Sequence, residues 1–63
     1  MLNKISVLMT VYNGERYLKK SIKSILDQTH INFEFIIVDD YSDDASVAVV
    51  EKFNDKRINL FKL

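Results

Sequence analysis

The sequence predicts an α/β fold in which three parallel strands alternate with two helices, in the order β-α-β-α-β. Three short apolar runs are separated by two segments with helical spacing, and this alternation is typical of parallel sheets. The runs are ISVLMT at residues 5–10, FEFIIV at 33–38 and INLFKL at 58–63. Because parallel crossovers are almost always right-handed, strands that lie side by side in chain order place both helices on one face.

The first helix is predicted from about Glu15 to Gln28, directly after the turn signal Asn13-Gly14. Asn13 belongs to a residue type that can cap a helix at its N-terminus. The apolar side chains of this segment form one stripe at helical spacing, and they are Leu18, Ile22, Ile25 and Leu26. We therefore expect this stripe to pack against the sheet.

The second helix is predicted from about Asp43 to Asn54, with Ser42 as its N-cap. Asp43 and Asp44 would then lie in the first turn, where the helix dipole favours negative charge. The apolar face would consist of Val47, Val50 and Phe53. The run VAVV at 47–50 is largely β-branched, so this segment is also compatible with a strand.

The predicted strands are apolar on both faces, which is typical of a sheet that is covered on both sides. Two helices on the same face would cover only one side. A chain of 63 residues buries only about 60% of the surface that its unfolded form exposes. We therefore expect either that these residues are the front part of a larger α/β domain, or that the isolated chain self-associates. A third alternative is that a small chain tolerates one bare apolar face.

The composition argues against several classes of protein. Nine basic and nine acidic residues give a formal net charge of zero, so no basic surface for nucleic acid is expected. No apolar run approaches the roughly 20 residues of a membrane span. The N-terminal apolar run is interrupted by Ser6 and Thr10 and lacks the cleavage site of a signal peptide. We expect a cytoplasmic protein, or one at the inner face of the membrane if a region outside this sequence anchors it.

Four carboxylates lie within VDDYSDD, residues 38–44, directly after the second apolar run. In open α/β sheets, ligands bind outside the carboxyl ends of the strands. The first strand ends near Thr10 and Tyr12, and the second ends at Asp39 and Asp40, so these four residues are expected at one edge. A planar heterocycle with N–H donors suits this set, because it can stack on a tyrosine and donate to a carboxylate.

Other interpretations of the acidic stretch are weaker or apply to part of it. Calcium is a poor match, because the Asp-x-Asp-x-Asp pattern with a glycine and a distal glutamate is missing. The turn VYNGER at 11–16 has one glycine where a dinucleotide fingerprint needs three. A helix start accounts for Asp43 and Asp44 without any ligand. It accounts less well for Asp39 and Asp40, which both precede the expected cap.

Three motifs together resemble the start of a family-2 glycosyltransferase with the GT-A fold. They are MTVYN at 9–13, SILDQT at 24–29 and DDYS at 39–42. The similarity extends over essentially the whole chain. Tyr41 departs from the family pattern, in which glycine is the commonest residue. The resemblance implies that the chain is the nucleotide-binding front part of a GT-A, Rossmann-like domain, and that residues 1–63 form a partial nucleotide-sugar-binding domain.

The resemblance also implies a role for each matching residue. Thr10 and Tyr12 would line the nucleotide pocket, with Tyr12 near the base. Asp40 would accept the N–H of a uracil-type base, and Asp39 would support that loop or the ribose. The donor would be a UDP-sugar, and the acceptor a saccharide or a lipid-linked molecule in polysaccharide biosynthesis.

The family transfers the sugar with inversion, using a divalent cation (Mn or Mg) and a catalytic base. The sequence contains no Asp-x-Asp triplet for the cation, and the base is expected beyond residue 63. The 63 residues alone are therefore expected to be inactive. Two alternatives stay open, namely a nucleotide-binding module without transferase activity and a structural α/β fragment without a ligand.

Overall fold

The computed structural model describes residues 4–28 and 32–63, and it confirms the β-α-β-α-β order. The elements are strand β1 (Ile5–Val11), helix α1 (Glu15–Gln28), strand β2 (Phe33–Asp39), helix α2 (Ser46–Glu51) and strand β3 (Ile58–Lys62). The connector predicted at 29–32 lies mostly outside the described residues. The three strands and α1 begin and end within one or two residues of the predicted bounds.

The sheet is parallel throughout, with the strands in the order β1-β2-β3 and β2 in the centre. The register pairs Ile5 with Phe33 at one end and Val11 with Asp39 at the other. Asp39 also pairs with Lys62 of β3. The carboxyl ends of all three strands therefore meet at one edge of the sheet, as the sequence predicts.

The core lies between the sheet and the two helices. Alternate residues of β2 are buried because successive side chains of a strand point to opposite faces. In α1, Leu18 and Ile22 are fully buried, four residues apart on the predicted stripe. The buried apolar side chains are Val11, Leu18, Ile22, Phe33, Phe35, Ile37 and Val50. Burying each of these stabilises the fold by about 1.5–3 kcal/mol before entropy is counted.

The opposite face of the sheet is open within the described part of the chain. Leu8 of β1 is 67% exposed and Phe61 of β3 is 56% exposed, and neither has a helix over it. Between them, Ile36 and Val38 of β2 are half-buried and pair with these outer strands. The expected bare apolar face is therefore present.

Helix α2 is shorter than predicted, and its start is different. The helix begins at Ser46, and its N-cap position is Ala45, which makes no side-chain capping hydrogen bond. The prediction that Ser42 caps the helix is therefore wrong, and Asp43 and Asp44 precede the first turn. The physical reason is that the side chain of Ser42 accepts a hydrogen bond from Asn13, in the loop before α1, and that of Asp44 accepts one from Glu15, the first residue of α1.

The start of β3 is fixed by an ion pair over an aromatic ring. Asp55 accepts hydrogen bonds from Arg57 at Nε (3.0 Å) and Nη2 (2.8 Å), and the guanidinium lies 4.7 Å from the centroid of the Phe33 ring. These hydrogen bonds from the Arg57 side chain lower the pKa of Asp55 to about 2. The pair anchors the turn before β3 to the buried face of the sheet.

Candidate functional site

The ends of β1 and β2 form the edge where the sequence predicts a site. The amide of Asp40 donates a hydrogen bond to the carbonyl of Val11 at 2.8 Å, directly beyond the paired residues Val11 and Asp39. Tyr12 follows Val11, so Tyr12 and Asp40 stand on neighbouring chain segments at the same edge. The topology therefore brings the two ends together in the expected way.

The four candidate residues differ in exposure. Tyr12 is 61% exposed, and Thr10 and Asp40 are also exposed. Thr10 pairs with Val38 on the open face of the sheet. Asp39 belongs to the alternating buried set of β2 and is only 5% exposed. Three of the candidate residues are thus accessible to a ligand from solvent, whereas Asp39 lies on the helix side.

Asp39 is committed to the loop that follows β2. Its Oδ2 atom accepts a hydrogen bond from the amide of Ser42 at 3.1 Å. Its Oδ1 atom is buried, and no hydrogen-bond partner for it is found among residues 4–28 and 32–63. A buried acceptor left unsatisfied costs about 1–3 kcal/mol. Of the two roles expected for Asp39, the observed contact is the support of the loop.

The loop before α1 and the loop before α2 are joined by two reciprocal hydrogen bonds. The amide of Asn13 donates to Oγ of Ser42 at 2.9 Å, and the amide of Asp43 donates to Oδ1 of Asn13 at 2.8 Å. Asn13 (φ 48°) and Tyr41 (φ 59°) both have left-handed backbone conformations. Asparagine tolerates this region better than most residues, and glycine would be favoured at position 41 for the same reason.

A second set of contacts joins the beginnings of the two helices. The amide of Gly14 donates to Oγ of Ser46 at 2.8 Å, and the amide of Glu15 donates to Oδ2 of Asp44 at 3.1 Å. The hydroxyl of Ser46 donates to Oδ1 of Asp44, and this hydrogen bond is the main reason that the pKa of Asp44 lies below its usual value. Asp44, in the loop before α2, and Ser46, the first residue of α2, therefore cap α1, a role that the sequence assigned to Asn13.

Gly14 lies close to the end of the Tyr17 side chain, which is half exposed. A Cβ atom at this position would lie 2.7 Å from the end of the Tyr17 ring, so a larger residue would require this ring to move. The tyrosine ring thus covers the loop before α1.

The carboxylates of the acidic stretch that are buried or half-buried make hydrogen bonds within the two loops. In the described part of the chain, no three His, Cys, Asp or Glu side chains lie together in a group that could hold a metal ion. Asp39 and Asp44 are engaged with neighbouring amides and hydroxyls instead. The residues present therefore do not fit the divalent cation that the family resemblance implies.

The fold and this edge define a Rossmann-like α/β segment, in which ligands bind beyond the carboxyl ends of parallel strands. The model of the family named Glycosyl transferase family 2 matches residues 6–63. The chain therefore belongs to glycosyl transferase family 2, and its three-stranded sheet is the amino-terminal part of the GT-A fold.

Individual relatives agree with this assignment. An uncharacterized glycosyltransferase of Haemophilus influenzae is 44% identical over 59 residues, which cover 90% of this chain and 24% of the relative. Glycosyltransferase GlyA of Streptococcus pneumoniae is 43% identical over 53 residues, covering 84% of this chain and 8% of the relative. An uncharacterized glycosyltransferase of Rickettsia conorii is 49% identical over 59 residues, covering 92% of this chain and 10% of the relative. The chain thus spans less than a quarter of the length of each of these relatives.

Neither helix in the described residues is long and apolar enough to cross a membrane.

Proposed function

We propose that this chain supplies the nucleoside-binding part of a glycosyltransferase that uses a nucleotide-sugar donor, with UDP-sugar as the donor class. The observation that carries the proposal is the placement of Tyr12 and Asp40 at one edge, both exposed and linked through the hydrogen bond from Asp40 to Val11. Uracil offers a flat face for stacking on the Tyr12 ring. Its N3–H is a donor that a carboxylate such as Asp40 accepts.

The other two candidate residues have supporting roles. Thr10 presents a hydroxyl on the open face next to the edge, where it lines the pocket for the nucleoside. Asp39 holds the loop through Ser42, and a ribose hydroxyl that reached its unpartnered Oδ1 atom would satisfy that atom.

The reaction assigned to the complete protein is transfer of a sugar to a hydroxyl of a saccharide or lipid-linked acceptor. The acceptor oxygen forms a bond to the anomeric carbon, the bond from that carbon to the diphosphate breaks, and the configuration inverts. A general base takes the hydroxyl proton, and no residue of this chain is assigned to that role. The chain contributes donor binding, and the 63 residues alone are inactive in this proposal. The work of the complete protein would be polysaccharide biosynthesis in the cytoplasm.

The proposal is tested by titrating the isotopically labelled chain with UDP and, separately, with CDP, while recording amide and aromatic NMR signals. Cytosine has a lone pair at N3 where uracil has an N–H, so it faces a carboxylate unfavourably. We expect UDP to shift the signals of Tyr12 and Asp40 and to bind at least about tenfold more tightly than CDP. Equal affinities for the two nucleotides would contradict base recognition by Asp40. No shift at either residue would favour a purely structural segment.

A further inference from the structure

We propose that Asn13 and Ser42 are positioning residues that fix the spacing between Tyr12 and Asp40 before the nucleotide binds. This inference rests on the proposed function, because it explains how the two base-binding residues are held. The side chains of Asn13 and Ser42, together with the amide of Asp43, are called the loop clasp below.

The loop clasp closes a ring of hydrogen bonds around the candidate site. On one side of the ring, the amide of Asp40 is bonded to the carbonyl of Val11 at 2.8 Å. On the other side lie the clasp contacts, at 2.9 Å from Asn13 to Ser42 and 2.8 Å from Asp43 to Asn13. Tyr12 stands between the two sides on one segment, and Tyr41 does so on the other. Neither segment can shift along the other without breaking one of these bonds.

Two residues of the ring hold an uncommon backbone conformation. Asn13 has φ 48° and Tyr41 has φ 59°, one on each segment. Non-glycine residues keep such conformations only where the surrounding structure determines them. The clasp holds both residues in this conformation, because Asn13 and Tyr41 lie in the ring of hydrogen bonds.

The clasp side chains do not need to touch the nucleotide to affect its binding. Oδ1 of Asn13 and Oγ of Ser42 are already engaged between the loops. Their effect on a ligand therefore passes through the positions of Tyr12 and Asp40. A binding site that is ordered before the ligand arrives loses less conformational entropy on binding, and this raises its affinity.

The test compares variants that remove the clasp with variants that retain it. Asn13→Gly removes the Oδ1 acceptor but permits the positive φ, whereas Asn13→Asp keeps an oxygen acceptor. Ser42→Ala removes the hydroxyl, whereas Ser42→Thr keeps it. UDP affinity is measured by NMR titration, and the unfolding midpoint in urea is measured in parallel. Val50→Ala serves as a control, because it weakens the core without touching either loop.

We expect Asn13→Gly and Ser42→Ala to bind UDP about tenfold more weakly than the wild type. Asn13→Asp and Ser42→Thr should stay within about threefold. Val50→Ala should unfold at lower urea, yet its folded fraction should bind UDP with unchanged affinity. If Asn13→Gly binds UDP as tightly as the wild type, or no more weakly than Val50→Ala at equal stability, the clasp has no positioning role.

Amide hydrogen exchange separates this inference from the proposed function. The clasp predicts slow exchange at the amides of Asn13 and Asp43 in the wild type, and faster exchange at Asp43 in Asn13→Gly and at Asn13 in Ser42→Ala. If these exchange rates are observed but UDP does not bind, the loop clasp is supported and the proposed ligand is wrong. Exchange rates that do not change in these variants would overturn the clasp, whatever the chain binds.

Discussion

The hydroxyl of Ser46, the first residue of α2, accepts a buried hydrogen bond from the amide of Gly14, directly before α1, at 2.8 Å. One helix is thus capped by the first residue of the other. The contact lies beside the loop clasp, so the stability of the fold and the order of the candidate site depend on the same pair of loops.

Ser46→Ala should destabilise the chain. The substitution leaves the buried amide of Gly14 without an acceptor, which costs about 1–3 kcal/mol in the free energy of unfolding. Urea unfolding followed by circular dichroism measures this loss. Ser24→Ala is the matched control, because Ser24 is exposed and accepts a long hydrogen bond of 3.3 Å from Gln28. A loss from Ser46→Ala no larger than that of the control would contradict the capping role.

Asp44→Ala and Asp43→Ala should differ, although both remove one carboxylate from the same loop. Asp44 accepts hydrogen bonds from Glu15 and Ser46, whereas Asp43 takes part in the clasp through its backbone amide, which alanine retains. We expect Asp44→Ala to lower the melting temperature by about 4–8 °C and Asp43→Ala to lower it by much less. Calorimetry of the two variants decides this, and equal melting temperatures would show that Asp44 has no special role.

The Asp55–Arg57 pair should make stability depend on acid pH. The pKa of Asp55 is lowered from 3.8 to about 2 in the folded chain. A group with a lowered folded pKa stabilises the fold above its unfolded pKa, and this contribution is lost as pH falls through the folded pKa. The stabilisation should therefore be complete above about pH 4 and disappear towards about pH 2.

The measurement is the urea midpoint at several pH values between 6 and 2 for the wild type and Asp55→Asn. Asp44 also has a lowered pKa, so both proteins should lose stability in acid. The difference between them isolates Asp55, and it should shrink as the pH falls. If the difference in urea midpoint between the two proteins stays constant across this pH range, the Asp55–Arg57 pair is not the source of the pH dependence.

The isolated chain should self-associate through the open face of its sheet. Leu8 and Phe61 expose apolar surface there, at 67% and 56% exposure, and burying such surface is favourable. Sedimentation should show the wild type associating and the double variant Leu8→Lys/Phe61→Lys remaining monomeric. Ala48→Lys, at an exposed position of α2, should associate like the wild type. If the wild type stays monomeric at high concentration, the exposed apolar face does not drive self-association.

The sequence predicts the strands and α1 well because each depends on a pattern within its own segment. It also contains a signal for the burial of Asp39, since the alternation of Phe33, Phe35 and Ile37 continues to that position. The predicted strand ends at Val38, so the prediction does not include the burial of Asp39. The strand is one residue longer than the apolar run, because the carboxylate has a partner in the amide of Ser42.

The start of α2 and the links between the loops are not visible in any local pattern. Ser42 followed by two aspartates favours a helix start, but the partners of Ser42 and Asp44 lie about 30 residues earlier in the chain. Tertiary hydrogen bonds therefore override the local capping preference. The left-handed conformation of Tyr41 was signalled only by the glycine common at this position in the family.

The most direct test of base recognition is the dissociation constant of UDP for the wild type, Asp40→Ala and Asp43→Ala. Both variants remove an exposed carboxylate from the same loop, so a general effect of charge would weaken both alike. If Asp40 accepts the uracil N–H, Asp40→Ala should bind about 5- to 150-fold more weakly, and Asp43→Ala should match the wild type. Equal losses in the two variants, or none in either, would contradict a nucleoside site at Tyr12 and Asp40.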